Sequence, residues 1–311
     1  MAILKLSPAY KEYIWGGNRL KEEFNKEYFG NILAETWELS CHPDGLSKIT
    51  NGKFAGRTLK EYIESVCNSI LGTNCERFSD FPILIKLIDA EQPLSVQVHP
   101  NNSYAIKNEH QFGKTEMWYI IDCEDESFLY YGLKETVTKE EFRNHIENNT
   151  LDNILNRVKV HKGDMFFIPA GTIHAIGKGI VIAEIQQNSN VTYRVYDYGR
   201  KGVDGKMREL HIEKALDVAC LEHRNIKYDF GRHLAQSDCF TVDKFSSKDG
   251  MIKEIVSEKS FQSLLIIDGN GEVACKDQKM YICKGDSIFL PAKSGEFTVT
   301  GDFCLLRTSI P

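Results

Sequence analysis

Residues 163–174 read Gly-Asp-Met-Phe-Phe-Ile-Pro-Ala-Gly-Thr-Ile-His, and this stretch constrains the fold more than any other in the chain. Gly163 permits a tight turn into the next residues. Phe166, Phe167 and Ile168 have the β character of a buried strand. Pro169 and Gly171 bend the chain out of the ladder at the strand end. His174 is thereby delivered to a fixed position near a barrel wall, as a metal ligand must be. A lone histidine is more often a satisfied core or surface side chain, so its partners decide the matter.

The spacing G-x5-P-x-G-x2-H resembles the second signature motif of the cupin family at every defined position. Cupins are small β-barrels that hold a metal inside, which directs attention to ligands upstream. Pro93-Leu-Ser-Val-Gln-Val-His-Pro100 alternates with the period of two of a strand, so Gln97 and His99 share one face and Val96 and Val98 the other. In Gly113-Lys-Thr-Glu-Met-Trp-Tyr-Ile-Ile121, a second β-rich run, Lys114 and Glu116 share a face. Glu116 could be an ordinary carboxylate paired with Lys114, but its place beside Trp118 and Tyr119 favours a buried role. Gln97, His99, Glu116 and His174 supply an amide oxygen, two imidazoles and a carboxylate. That set suits catalytic Zn²⁺ with an open position. It equally suits non-haem Fe(II), and ligand identity alone does not choose.

The order and spacing of several motifs resemble the type I mannose-6-phosphate isomerases over residues 10–200 or so. The matching residues are Lys86, Ser95-Val-Gln-Val-His-Pro100, Lys114-Thr-Glu116, the 163–174 stretch, Glu184 and Arg194. Tyr13-Ile-Trp-Gly-Gly17 and Ala34-Glu-Thr-Trp-Glu-Leu-Ser-Cys-His-Pro43 are similar to the family's amino-terminal segments. With 311 residues the chain fits the short bacterial form. The resemblance implies one Zn²⁺ per chain on Gln97, His99, Glu116 and His174, and a sugar-phosphate substrate. It also implies proton transfer between C1 and C2 of mannose 6-phosphate and fructose 6-phosphate through an enediol, with Arg194 and Glu184 in the pocket.

Lys86 lies in Pro82-Ile-Leu-Ile-Lys-Leu-Ile88. It could snorkel from a strand, but a cation among such neighbours costs free energy unless it meets an anion. Desolvation would lower the pKa of Lys86 or Lys114 and suit either to proton transfer; Glu184 and a water on the metal are rivals. Alternation from Glu184 places Gln186 on its face. The family's longer members carry a lysine where Arg200 stands, which leaves the role of Arg200 open. Asp197, Arg200 and Lys201 read equally well as a solvated loop.

A net charge of −6 argues against nucleic-acid or membrane-surface partners. No apolar run approaches a membrane span, and the start Met-Ala-Ile-Leu-Lys-Leu-Ser-Pro has no long apolar core of a secretory signal. The nine cysteines are odd in number, scattered and without a C-x-x-C pair, as free thiols of a reducing cytoplasm would be. The expected oligomeric state is a monomer or weak dimer.

The remaining pattern is mainly β, with helices expected over 57–71, 139–145 and 210–221. Gly285-Asp-Ser-Ile-Phe-Leu-Pro291 repeats the G-x5-P spacing of Gly163–Pro169, yet no histidine comes after it. Two cupin (jelly-roll) barrels with a few added helices are expected. Residues 1–234 form the catalytic one, and 235–311 a degenerate one without a metal site. Two other classes share parts of this pattern: an iron-dependent cupin oxygenase, which would consume oxygen, and a non-catalytic sugar-binding or regulatory cupin. The ionisable set Lys86, Lys114, Glu184 and Arg194 goes beyond what a mere binder needs.

Overall fold

The structure, a computed structural model, describes residues 3–201, 205–225 and 227–311. Met1 and Ala2, the first residues of the start read for a leader, lie outside them. The protein is mainly β and forms two compact units. One comprises residues 1–12, 18–87 and 230–311, and the other residues 13–17 and 88–229. This grouping is discontinuous in sequence, whereas the motif reading draws one linear boundary at 234/235. The reason is strand pairing: Leu4–Ser7 lies antiparallel to Ser287–Leu290, with Leu4 opposite Phe289, so the amino terminus is a strand of the carboxy-terminal sheet.

In the unit of residues 88–229, five strands run in the order Tyr193–Tyr196, Val96–Val98, His174–Ile176, Phe128–Leu133 and Leu155–Lys159. Their pleat sorts the side chains as the alternation predicts. Val96, Val98, Ala175 and Val195 enter an apolar cluster with Phe142 and Ile146 of the helix Lys139–Glu147 and Ala215 and Leu216 of the helix Ile212–Val218. Gln97, which pairs with both His174 and Arg194, lies on the opposite face. A second group of strands runs Met165–Ile168, Glu116–Cys123 and Ile180–Gln187.

In the other unit, two long strands, Gln262–Cys275 and Gly295–Ser309, pair along most of their length and organise a nine-stranded sheet. Leu264, Ile266, Ile288, Leu290, Phe297 and Leu305 fill its core. Ala9–Lys11, Glu35–Leu39 and Ile83–Ala90 are neighbouring strands, and Ala9 pairs with Trp37.

The internal echo is a repeated turn. Gly163 donates to the Ile120 carbonyl, and Ile120 N–H returns a bond to the Asp164 carbonyl; Gly285 and Ile266 exchange the same two bonds through Asp286. Both glycines have positive φ, +96° and +95°, a region that penalises a Cβ. After the strands the chains diverge, and among the described residues no group of three or more His, Cys, Asp or Glu side chains able to hold a metal forms in the carboxy-terminal barrel.

Two of the three expected helices are shorter than their apolar spacing suggests, while 139–145 extends to Lys139–Glu147. The expected helix over 57–71 is Leu59–Val66, started by a capping box between Thr58 and Glu61. It stops at Cys67, whose φ of +109° breaks the helical path before a short 3₁₀ turn at Asn68–Ile70. Likewise 210–221 contracts to Ile212–Val218. Asn102–Glu109 was not anticipated: Ala105 is its one buried residue, so no apolar stripe marks it, and the Asn101 cap is its local signal.

The two equivalent glycines differ in surroundings. A Cβ on Gly285 would overlap the Phe24 carbonyl, whereas one on Gly163 meets nothing closer than the Tyr119 hydroxyl at 3.9 Å. Gly163→Ala is expected to cost about 1–2 kcal/mol through its left-handed backbone. Gly285→Ala should cost that and a further ~1–3 kcal/mol of overpacking. Urea unfolding of the two variants measures the difference, and equal losses would show that the Phe24 contact relaxes freely.

Candidate metal centre

The strand Glu116–Cys123 starts with the carboxylate that organises the site. Glu116 has no exposure to solvent, nor does His174, and His99 is 1 % exposed. Ligand atoms of these three residues lie within 4.8 Å of one another. His174 Nε2 is 3.2 Å from Glu116 Oε1, and His99 Nε2 is 3.8 Å from Oε2.

Each imidazole is oriented from behind. His99 Nδ1 is 2.9 Å from the Val191 carbonyl, and His174 Nδ1 is 2.8 Å from the Thr172 carbonyl. A carbonyl oxygen only accepts, so both Nδ1 atoms carry a proton and donate it, which turns both Nε2 atoms into the cluster, that of His99 beside the Lys114 ammonium. The Pro-Ala-Gly corner serves this alignment. Gly171 N–H donates to the His99 carbonyl, and the Gly171 carbonyl accepts from Cys220 N–H.

Lys114 is the cation of the cluster. Its ammonium touches Glu116 Oε2, lies 3.1 Å from His99 Nε2 and stands 3.8 Å from Glu184 Oε1. Burial pushes the His99 pKa well below the ordinary imidazole range, and the Lys114 charge adds to this, so the ring is neutral. Burial acts to raise the Glu116 pKa, but Lys114 and the two histidines outweigh it and hold the carboxyl well below its usual range. The site therefore presents an ionised carboxylate beside the neutral His99 imidazole, protonation states a metal requires.

A divalent ion fits these residues on their own evidence. Both Glu116 oxygens and His174 Nε2 are buried without a hydrogen bond; Oε2 meets the Lys114 ammonium, whereas Oε1 and His174 Nε2 face each other, an arrangement costly unless a cation is bound between them. Gln97 is half-buried and pairs across the ladder with His174, which puts its side chain on the ligand face.

The other expected site residues divide into three places. Glu184 pairs in register with Trp118 and accepts from its indole N–H at 2.7 Å, joining the metal cluster through Lys114. Lys86 is buried on Ile83–Ala90, 3.7 Å from Glu35 Oε2 and 5.3 Å from the centre of the Trp37 ring; it thus meets an anion, as its apolar neighbours demand. Arg194 donates to Ser95 Oγ at 3.2 Å and to the Glu209 carbonyl at 3.1 Å.

The reading of Asp197 and Arg200 as a solvated loop needs correction. Asp197 is buried and takes Arg200 at 2.5 Å and Arg208 through two bonds of 2.6 and 2.7 Å. Burial acts to raise the Asp197 pKa, and these two guanidinium groups carry it below the usual range instead. They also feel Arg194, whose pKa is lowered by burial and by Arg208. Three arginines around one aspartate leave an excess of positive charge. Sequence reading missed Arg208 because it belongs to no motif; it meets Asp197 eleven residues upstream, next to the bridge between Lys201 and Met207.

A cupin with a buried His-Glu-His cluster is the class of protein that this fold and site define. Residues 3–126 match the model of the phosphomannose isomerase type I catalytic domain, and residues 231–310 that of the mannose-6-phosphate isomerase cupin domain. The mannose-6-phosphate isomerase ManA of Bacillus subtilis is 40% identical to this chain over 309 residues, 96% of each chain. A crystal structure of the mannose 6-phosphate isomerase from Bacillus subtilis superposes with a TM-score of 0.91 at 34% identity, covering 99% of both chains. A zinc-bound holo mannose 6-phosphate isomerase shares the fold at a TM-score of 0.78 and 19% identity, again over 99% of both. The chain belongs to the type I phosphomannose isomerase family.

Glu116→Gln keeps the shape but removes the charge that balances a divalent ion. It is expected to weaken zinc binding by more than the roughly 100-fold typical of losing an outer-shell partner. A competition titration with a chromogenic chelator measures this; wild-type affinity in the variant would remove Glu116 from the ligand set.

Proposed function

We propose that the protein interconverts mannose 6-phosphate and fructose 6-phosphate, with Zn²⁺ held by His99, Glu116, His174 and Gln97. The observation that carries this reading is the convergence of Glu116, His174 and His99 with Lys114 and Glu184 in one buried cluster. Support for zinc comes from the donor set and from the zinc-bound enzyme of the same fold. When bound, the ion supplies Lewis acidity to substrate oxygens at C1 and C2.

The remaining chemistry belongs to side chains. Moving hydrogen between C1 and C2 requires a group that takes a proton from carbon and returns it to the neighbouring carbon. The Lys114–Glu184 pair is suited to carry it. Glu184 is held by the Trp118 N–H on one oxygen and faces Lys114 with the other. The Lys114 ammonium also offsets negative charge as an enediol forms. Lys86, buried and facing the Glu35 carboxylate, is the third ionisable group of this proposal. Arg194 supplies a permanent planar cation for an oxyanion or phosphate. Arg200 and Arg208, whose charge exceeds what Asp197 neutralises, supply the rest of a phosphate-binding surface. A division at 234/235 into catalytic and accessory cupins accords with the separate family match over 231–310.

An oxygenase reading has the same donor set but gives no role to the lysines and arginines. The deciding assay is turnover of mannose 6-phosphate by chelated protein before and after zinc is restored, coupled to a glucose 6-phosphate readout. Activity is expected to vanish and return; oxygen uptake with iron and no isomerisation would reject the proposal. Arg194→Ala is expected to retain zinc while kcat/KM falls by roughly 10²–10³, the scale of losing one electrostatic contact to a developing charge. Metal analysis of the same sample checks retention, and loss of zinc would make Arg194 structural.

A further inference from the structure

We infer that Gln186 is a substrate-contacting residue of this site, its amide oxygen accepting a hydrogen bond from a hydroxyl of the sugar chain. The inference rests on the isomerase reading above. In the antiparallel pair of Ile180–Gln187 with Glu116–Cys123, Glu184 stands opposite Trp118 and Gln186 opposite Glu116. Residues opposed across a ladder project from the same face with Cβ atoms about 4.5–5.5 Å apart. Gln186 is therefore the immediate neighbour of the central carboxylate, and it has no exposure to solvent.

Its amide has one possible orientation. Both Nε2 hydrogens are committed to backbone carbonyls, those of Gln187 at 2.8 Å and Ser189 at 2.7 Å. Reversing the amide would set its oxygen against two other acceptors, so the contacts themselves fix the placement of nitrogen and oxygen. The anchoring loop is itself braced. Gln187 N–H donates to the Thr115 carbonyl, Thr115 N–H donates to Gln187 Oε1, and Gln187 Nε2 donates to Asn102 Oδ1.

Gln186 Oε1 is left buried and without a hydrogen-bond partner. Glu116 beside it offers only acceptors and cannot supply one. The group that satisfies Oε1 must bring a donor, and it must do so without further negative charge beside Glu116 and Glu184. A neutral amide oxygen suits an aliphatic hydroxyl, and an open-chain aldose phosphate carries several beyond the reacting carbons. Sites built to bond a substrate hydroxyl discriminate strongly against analogues that lack it.

The test pairs a variant with substrate deletions. Gln186→Met keeps size and removes the acceptor together with the two N–H bonds to the Gln187 and Ser189 carbonyls, so the analogue-by-analogue comparison, not the overall loss, isolates the acceptor. The variant is compared with wild type on mannose 6-phosphate and its 3-, 4- and 5-deoxy analogues, with zinc content and melting temperature recorded. The expected result is retained zinc and a kcat/KM for mannose 6-phosphate lowered roughly 10–100-fold. One deoxy analogue should be turned over equally by both proteins, the coupling expected of a direct contact. An unchanged kcat/KM, an equal loss on every analogue, or loss of zinc would overturn the inference in favour of a structural water or ligand support. Should Gln186→Met fail to fold, a crystal structure of zinc-loaded wild type with mannitol 6-phosphate decides. A sugar hydroxyl within hydrogen-bond distance of Oε1 is expected there, and a water in its place is the contrary result. Wild type inactive on mannose 6-phosphate would instead reject the isomerase reading itself.

Discussion

Glu116 is ionised and sealed from water, and a carboxylate in that position has to be met by positive charge or coordinated. Much of the unit of residues 88–229 can be understood as the means of meeting it. One strand carries the carboxylate, Lys114 just before it brings an ammonium, and two further segments bring imidazoles whose Nε2 atoms turn inward. The backbone carbonyls of Val191 and Thr172 matter as much as the rings they hold, because they decide which nitrogen is free. The helices behind the five-stranded sheet bury Val96, Val98 and Val195, and so prevent a one-residue slip that would turn Gln97 away from His174.

The His99–Glu116–His174 cluster was legible in the sequence because strands carry or flank its members. Period two puts Gln97 and His99 on one face, and Lys114 and Glu116 on another, without knowledge of the rest of the chain. The Gly-x5-Pro-x-Gly corner likewise announces His174, since a positive-φ glycine and a proline leave the backbone few alternatives there. Less could be read where the informative contact depends on the chain folding back outside any regular pattern. The Asp197–Arg208 pair depends on how the chain returns after Lys201, and the pairing of Leu4 with Phe289 on closure across nearly the whole sequence. The helix Asn102–Glu109 escaped because a single buried alanine leaves no periodic signal.

The two barrels show how the same local rules support different outcomes. Gly163 and Gly285 make the same turn with the same pair of backbone bonds, and each leads into a four-residue strand. In one barrel the strand is succeeded by a corner and a ligand. In the other it pairs with the amino-terminal strand, and Leu290 and Ile288 enter an apolar core. The turn is a backbone solution, indifferent to chemistry; the residues that face the interior around it determine whether the barrel holds a charged cluster or an apolar core.

Residues 187–191 hold two things at once. Carbonyls of Gln187 and Ser189 position the Gln186 amide, and the carbonyl of Val191 sets the tautomer of His99. None of these groups belongs to the donor set, yet the loop governs the direction in which two of the site's polar atoms point. A relative with the same His-Glu-His residues but a shortened or reshaped loop would keep its inventory of donors and lose their common aim. Metal preference and sugar preference would then drift together through evolution, traced by a segment that contributes only main-chain oxygens and is invisible to any comparison of ligand residues alone.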